Sequence, residues 1–594
     1  MIFGKNVNKY YLKYFLFFFL GLVALVVINW VQLKIPKICG VILDGIDGAA
    51  KLDPDSLFNN PERINQLMIQ LGCIAGIMFI GRFAWRYCIF GVAARIEADM
   101  RDEMFQKSLN LSNAYYKRHK TGALMALFTN DIQVIKQTFG MGTVMAIDAI
   151  FLGGFALYIM IKLNWILSLF SVIPMIFVAG ITGVVSRVIK QKFKERQEAY
   201  EELSDFTQEN FSGISVVKAF VKEIHEVRHF DKINEKNREK TLHHVKYSTI
   251  LNVCIGAAIS SIFAILFGGC AYFVVNGFMG EEFTVGMMWE FIGYFDHVIW
   301  PFMALASLIN MRAQAKASLN RIDEFMDEKI DIVDEKIVET EPIVGEIDFN
   351  GLNFTYPDGS NEVLSDIRFK IPAGTMVGLI GRTGCGKTTI VDLLLRTYNV
   401  DENQILIDGN DIMHIPYKKV REAIGYVPQD NFLFSDTIAA NIAFAYDEID
   451  NEVVIEAAKL ADVHQNIVEF KEQYQTILGE RGVTLSGGQK QRVSIARALI
   501  KNPPILIFDD SVSAVDTKTE ETILTNLREL RKGKTTIMIA HRISTVQNLD
   551  LIVVMDEGKI HAVGTHKELL KTSELYNEMV RLQALESEIN GGDI

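Results

Sequence analysis

The sequence predicts two unlike halves: an α-helical transmembrane domain of six spans with long cytoplasmic helical extensions, followed by an α/β P-loop nucleotide-binding domain. Three observations predict this. Long apolar runs recur through about the first 325 residues, and the remainder alternates short apolar strands with amphipathic helices. Between them in kind is one glycine-rich stretch, Gly381-Arg382-Thr383-Gly384-Cys385-Gly386-Lys387-Thr388, which fits the phosphate-cradling pattern G-x-x-x-x-G-K-[ST]. At 594 residues the chain exceeds one ordinary domain, and its net charge of −12 argues against a nucleic-acid binder, whose footprint is basic.

The N-terminus superficially resembles a secretory leader, with Lys5, Lys9 and Lys13 ahead of an apolar run over 14–31. No small-residue cleavage site follows closely and further apolar runs come later, so the run reads as a first span that stays attached. Crossing ~30 Å of hydrocarbon takes about 20 apolar residues. Six segments meet that length: 14–33, 67–92, 139–161, 165–186, 248–276 and 284–309. Basic residues set the orientation. Arg95, Arg101, Lys107, Lys117, Arg118, Lys120 and Lys136 separate the second and third spans, and Arg187, Lys190, Lys192, Lys194, Arg196, Lys218 and Lys222 follow the fourth. The segment 276–283 carries no Lys or Arg, and 161–165 carries only Lys162. A multi-pass protein of the cell membrane is expected, with both termini and the nucleotide-binding domain in the cytoplasm.

Proline is absent between Pro61 and Pro174 and again between Pro174 and Pro301. Helical pattern therefore runs on past the bilayer. A helix over 65–110 is about 69 Å long at about 1.5 Å per residue, roughly twice what the bilayer requires. The surplus forms cytoplasmic stalks whose tips are expected at 112–119 and 206–213. The six cysteines (Cys39, Cys73, Cys88, Cys254, Cys270, Cys385) are scattered without metal spacing and read as small buried hydrophobes.

The charged stretch 327–343, with Pro342, reads as a linker between a transmembrane domain at 1–326 and a nucleotide-binding domain at 344–594. In the latter, the buried strand 376–380 leads into the phosphate loop and a helix follows it, so backbone N–H groups and the helix dipole converge on one anion. Lys387 reaches the β- and γ-phosphates and Thr388 holds Mg²⁺. The apolar strand 505–508 ends in Asp509 and Asp510, and Asp509 suits a Mg²⁺-associated carboxylate. Leu485-Ser486-Gly487-Gly488-Gln489 is a second glycine-rich turn before a helix. Gln429 and His541 each follow an apolar strand; either alone is more often a satisfied structural residue.

Together and in this order, these motifs resemble the ATP-binding cassette (ABC) family, over essentially the whole chain: an exporter-type membrane domain fused to one nucleotide-binding domain. The resemblance implies ATP and Mg²⁺ as ligands. It implies that Tyr356 stacks on adenine and that Gly381 to Thr389 wraps the phosphates (Arg382, Thr383, Gly384, Cys385, Gly386, Lys387 and Thr388 between them). Thr388, Gln429 and Asp509 serve the metal, His541 is the switch histidine, and Leu485 to Gln489 is a signature that binds ATP held by another subunit. It also implies that 513–516 links the two sites and that 478–482 is an exporter-specific element.

One phosphate loop and one signature cannot sandwich ATP within a single domain of this family, so a second half-transporter subunit is required. The family places Glu after the Mg²⁺ aspartate; this chain has Asp510, one methylene shorter, where a catalytic carboxylate positions water. A displacement of about 1 Å can cost on the order of 10²-fold in rate. A heterodimer with a Glu-bearing partner is therefore favoured, with a homodimer tolerating Asp510 as the alternative. Polar groups within spans mark a candidate cargo pathway: Arg82, Arg86, Asp148, Glu290, Asp296 and His297, with Met287, Phe291, Phe295, Trp300 and Met303 as an adaptable wall. The plainer alternative pairs the acids with the arginines and packs the aromatics. Export of small amphipathic or hydrophobic compounds is the first expectation for the cargo; a lipid or peptide cargo is the second.

Overall fold

The computed structural model describes residues 4–50, 61–276, 283–479, 482, 485–511 and 517–589. The chain divides into two compact units, one built from Met1–Met104 and Met125–Met326, the other from Phe105–Leu124 and Asp327–Ile594.

The first unit is helical. Its long helices are Phe15–Gln32, Lys34–Ala50, Pro61–Asn110, Trp165–Ser212, Glu223–Asn276 and Val285–Asp327. Five described helical stretches are long and apolar enough to cross a membrane: Phe15–Ile46, Glu62–Asn110, Thr121–Leu163, Glu223–Gly269 and Val285–Asp327. The expected fourth span, 165–186, is the one outside this set. It opens the 48-residue helix Trp165–Ser212, of which only Trp165–Ile176 is described as an apolar segment. Asn164 starts that helix by accepting the N–H groups of Ile166 and Leu167 on its side-chain oxygen (3.1 and 3.0 Å).

The helices outrun the bilayer as expected, with 50 residues in Pro61–Asn110 and 54 in Glu223–Asn276. The first tip falls where expected, as the short helix Asn113–Arg118. The second is displaced from 206–213: the helix continues to Ser212, and the turn is made by Ile214–Ala219 and the residues after it. Val221 supplies the reversal at φ +53°. A β-branched residue is a poor occupant of the left-handed region, so no turn signal marks the site.

The helical run 121–163 carries three π-helical insertions, Leu127–Asp131, Thr138–Gly142 and Asp148–Leu152. Each extra residue rotates the helix face. The first places Asp131 against the last long helix, where its carboxylate accepts from Ser318 Oγ (2.7 Å) and Arg321 Nε (3.0 Å). Close packing there depends on glycine: a Cβ on Gly140 would lie 2.8 Å from the Phe90 ring. Among the described cysteines only Cys385 is buried; Cys73 and Cys254 are exposed, which corrects the expectation that they pack inside.

The second unit has two sheets. β1 (Ile347–Thr355), β2 (Glu362–Ile371), β4 (Ile405–Ile407) and β5 (Asn410–Asp411) form an antiparallel sheet in the order β2-β1-β4-β5. β3 (Met376–Gly381), β6 (Ile424–Val427), β7 (Ile505–Asp509), β8 (Thr535–Ile539), β9 (Leu551–Asp556) and β10 (Lys559–Gly564) form the order β10-β9-β3-β8-β7-β6, parallel except for β10. β3, β7 and β8 are buried throughout, as a parallel sheet covered on both faces requires. One apolar cluster joins the two sheets and includes Ala114 of the short helix Asn113–Arg118.

Residues 327–343, expected to be a linker, are pinned along this unit. Asp334 takes Arg396 Nη1 (3.1 Å) and the Tyr417 N–H (2.9 Å), and the Val338 N–H donates to the His414 carbonyl (3.0 Å).

Candidate functional site

The phosphate loop connects β3 to the helix Lys387–Leu394. Gly386 has φ +96°, and a Cβ there would sit 2.6 Å from Leu364 Cδ2; a Cβ on Gly381 would sit 2.2 Å from the Met555 carbonyl. Only glycine lets the loop curl this tightly. Lys387 is buried, and its ammonium caps the carbonyls of Gly381 (2.9 Å) and Arg382 (3.0 Å). Cys385 is buried behind the loop with Sγ 3.7 Å from Lys387 Nζ.

The loop forms one wall of a cleft of about 330 Å³ lined by Tyr356, Val363, Thr383, Gly384, Gly386, Lys387, Thr388, Thr389, Gln429, Asp509, Asp510, Ile539 and His541. Eleven of these were expected from sequence; Val363 and Ile539 are apolar additions. Gly381, Arg382 and Cys385 shape the loop from behind or beside the cleft. Arg382 faces outward, 3.8 Å from Glu578.

Asp509 ends β7 inside the sheet. Its Oδ1 accepts from Thr388 Oγ1 (3.3 Å) and its Oδ2 from the Tyr426 hydroxyl (3.5 Å). Burial pushes the Asp509 carboxyl up; the Thr388 hydrogen bond opposes this, and Asp392 and Asp510 add to it. A buried carboxylate beside a hydroxyl is a hard-oxygen donor pair short of positive charge, which fits Mg²⁺. No group of three or more acidic, His or Cys side chains placed to hold a metal ion is found among the described residues. Mg²⁺ takes one or two protein oxygens and completes its shell with phosphates and water. When bound, the ion neutralises charge on the β- and γ-phosphates.

Asp510 stands next in the cleft at φ +46°, its N–H donated to the Ile539 carbonyl (3.0 Å). His541 follows β8. Its carbonyl accepts from Gln583 Nε2 (2.5 Å), while Gln583 Oε1 accepts the Ile543 N–H (2.7 Å). The terminal helix Glu574–Ile589 thus holds the histidine segment, a contact no local pattern announces. Tyr356 lies at the rim, its hydroxyl 2.9 Å from Thr389 Oγ1. Its ring meets that of Tyr398 edge-on at 5.2 Å, and Lys117 of the short helix lies over both rings, at 5.2 and 5.4 Å.

Leu485 to Gln489 do not line this cleft. Ser486 caps the helix Gly487–Ile500 through a reciprocal box with Gln489 (3.3 and 3.0 Å), which leaves Gly487 exposed at an N-terminus. The pattern 513–516 lies outside the described residues, as do 480 and 481 of the segment 478–482.

The expected cargo-pathway residues are not brought together. Arg82 and Arg86 line an apolar cavity of about 560 Å³ with Phe79 and Phe83. Asp148 is buried and accepts from Asn29 Nδ2 (2.9 Å) and Trp300 Nε1 (3.4 Å). Glu290 accepts from the Tyr294 hydroxyl (2.9 Å), Asp296 is exposed and His297 half-buried. No ion pair joins these acids to these arginines among the described residues. Phe291 and Phe295 are wholly buried core residues, so of the expected wall only Trp300 and Met303 are exposed.

Residues 18–302 match the family described as the ABC transporter transmembrane region, and residues 364–513 match the ABC transporter family. The chain is 34% identical to the Bacillus subtilis (strain 168) protein named "Probable multidrug resistance ABC transporter ATP-binding/permease protein YheI", over 99% of each chain. It is 34% identical to the multidrug resistance-like ATP-binding protein MdlA of Escherichia coli (strain K12), over 96% of this chain and 95% of that one. The solved structure of a bacterial Atm1-family ABC exporter with ATP bound superposes with a TM-score of 0.76 at 26% identity, covering 97% of this chain and 98% of the other.

Proposed function

The chain belongs to the ABC transporters, membrane and nucleotide-binding parts fused in one polypeptide that couples Mg-ATP hydrolysis to transport, and from that premise we propose that it is the slow-site subunit of a heterodimeric exporter of small amphipathic or hydrophobic compounds. The observation that carries this reading is the pairing of an intact signature turn with Asp510 in the cleft. The cleft gathers the phosphate loop, Asp509, Gln429 and His541 without its own signature, so ATP is completed by another subunit's Leu485–Gln489 equivalent. In return, Ser486, Gly487 and Gly488 serve the partner's ATP, where a glutamate drives turnover.

The transmembrane domain is assigned to 1–326 with six spans, the joining segment to 327–343 and the nucleotide-binding domain to 344–594. The basic bias places the nucleotide-binding domain and both termini in the cytoplasm of a cell-membrane protein. ATP binds the closed pair of nucleotide-binding domains better than the open pair, and that difference in affinity shifts the membrane helices from inward- to outward-facing. In the hydrolytic step, positioning and electrostatics do most of the catalytic work. Asp510 and His541 set the water and Lys387 holds the transferring phosphate. The cargo reading draws support from the relatives' multidrug names and from the apolar cavity bearing Arg82 and Arg86.

The test is ATP-driven uptake into inverted membrane vesicles across a panel of amphipathic dyes, with the chain alone and with the Glu-bearing partner. Transport by the pair and little by the lone chain is expected. Full transport by the lone chain would overturn the heterodimer, and transport of lipid or peptide alone would overturn the cargo class.

A further inference from the structure

A cavity of about 850 Å³ opens among the helices 15–50, 61–110, 153–163 and 285–327, separate from the nucleotide cleft. Its walls are apolar over most of their extent, with Trp30, Ile38, Ile74, Ile77 and Ile159. Its polar lining is lopsided in charge. Lys34, Lys37 and Lys162 border it together with Gln70, against one acid, Glu290, whose carboxylate already accepts from Tyr294. All three lysines are exposed. Among the described residues Lys34 and Lys37 have no hydrogen-bond or ion-pair partner, and Lys162 has only the Tyr158 ring, 5.2 Å away.

Depth matters as much as charge. Lys34 follows Tyr14 by twenty residues, about 30 Å of helix and so one hydrocarbon thickness. Lys162 belongs to the last turn of the helix Gly153–Leu163 on a different strand of the bundle. Two helices thus bring cations to one rim, and under the orientation proposed above that rim is the outer one. Lysine is disfavoured there relative to the cytoplasmic side, so three around one opening need a counter-charge. The apolar walls extend from the lysines toward the hydrocarbon, the same polarity as a lipid in the leaflet. The volume lies within the usual range for an enclosed ligand.

We infer that this cavity holds a membrane lipid with an anionic phosphate headgroup, the phosphate at Lys34, Lys37 and Lys162 and an acyl chain along Ile74, Ile77 and Ile159. The site is separate from the nucleotide cleft and shares only Ile74 with the cavity of Arg82 and Arg86.

The full chain is reconstituted in nanodiscs of equal phosphatidylglycerol and phosphatidylcholine, without ATP, and lipid retained after detergent extraction is counted by native mass spectrometry. Phosphatidylglycerol is expected to be retained over phosphatidylcholine. Each substitution among Lys34→Gln, Lys37→Gln and Lys162→Gln should lower that preference about fivefold, the value of one lysine near an anionic membrane surface. Ile77→Trp with Ile159→Trp keeps the charges, fills the cavity and should also abolish retention. The single lysine variants carry the test if the double tryptophan variant does not fold. Equal retention of both lipids by the wild type would overturn the inference. So would retention that survives cavity filling, which marks only annular lipid, or release by inorganic phosphate alone, which marks a free anion. Because no nucleotide or dye is present, a failed transport assay leaves this result standing, and the reverse.

Discussion

Asp510→Glu should raise ATP turnover while lowering stability, and the two effects have separate structural origins. On the proposed reading, the carboxylate of Asp510 stands one methylene short of a catalytic glutamate, a withdrawal of about 1 Å; misplacement of that size can lose ~10²-fold in rate, or ~2.7 kcal/mol of barrier. Restoring the methylene is therefore expected to speed phosphate release by the purified chain about 10- to 100-fold. The backbone sets the opposite term. Asp510 sits at φ +46°, a region that costs ordinary L-residues roughly 1–2 kcal/mol and that Asp tolerates better than most. Glutamate at that dihedral should lose up to about 1 kcal/mol of folding stability, read as a lower melting temperature. Asp510→Asn should keep the fold and remove the residual turnover. The assay is phosphate release in Mg-ATP by the purified chain in lipid, alongside thermal melting. Wild-type turnover already at about 10 s⁻¹, an ordinary enzyme rate, or no gain with glutamate, would refute the argument from carboxylate reach.

Three further outcomes follow from the same unit. Cys385, buried behind the phosphate loop 3.7 Å from Lys387, should react with a thiol reagent more slowly than exposed Cys73 and Cys254; Mg-ATP at ten times its Kd should slow it about tenfold more, and equal labelling with and without nucleotide would contradict a loop-bound phosphate. Lys117→Met removes the cation from the Tyr356 and Tyr398 rings, a contact worth ~0.5–1 kcal/mol at a partly exposed site, so binding of a fluorescent ATP analogue should weaken about two- to fivefold and recover in Lys117→Arg. Arg531 is buried, donating to the carbonyls of Pro503, Pro504 (3.0 Å) and Thr535 (2.7 Å) and to Thr536 Oγ1 (3.3 Å); Arg531→Met should destabilise the nucleotide-binding unit by about 3 kcal/mol or more through stranded carbonyls, measured by denaturant unfolding, and lysine should not rescue it because it lacks the planar fork.

How legible each of these groups is from sequence depends on the range of the forces that place it. The phosphate loop is readable because its chemistry is local: glycines at φ +83° and +96° must be consecutive with the lysine they present. The first stalk tip is readable from length: a helix about twice the bilayer must turn back in the cytoplasm, and the short helix Asn113–Arg118 falls within 112–119. The second is not, since its reversal rests on Val221, a residue that gives no turn signal. The π-helical insertions escape periodicity altogether, because each shifts phase by a single residue within an otherwise apolar run. Phe291 and Phe295 could be read from sequence either as a cavity wall or as ordinary packing, and they are wholly buried; apolar composition alone does not say which face of a nearly all-apolar helix is inside. Gln583, Arg531 and the pinned 327–343 segment depend on contacts between residues tens to hundreds of positions apart, which no window in the sequence joins.

The same distinction of range explains why the ATP site must be shared. Within one chain, β3, β7 and β8 converge their C-terminal ends on the cleft, so Lys387, Asp509, Asp510 and His541 arrive together by sheet register alone. The signature turn is fixed elsewhere, by its own cap and helix, and the register gives it no route to that cleft. On the proposed reading, a γ-phosphate held by Lys387 has its other side completed by a second nucleotide-binding domain. Dimerisation with a second ABC subunit thus completes the catalytic geometry, and on the proposed heterodimer the shorter reach of Asp510 is offset by turnover at the paired site.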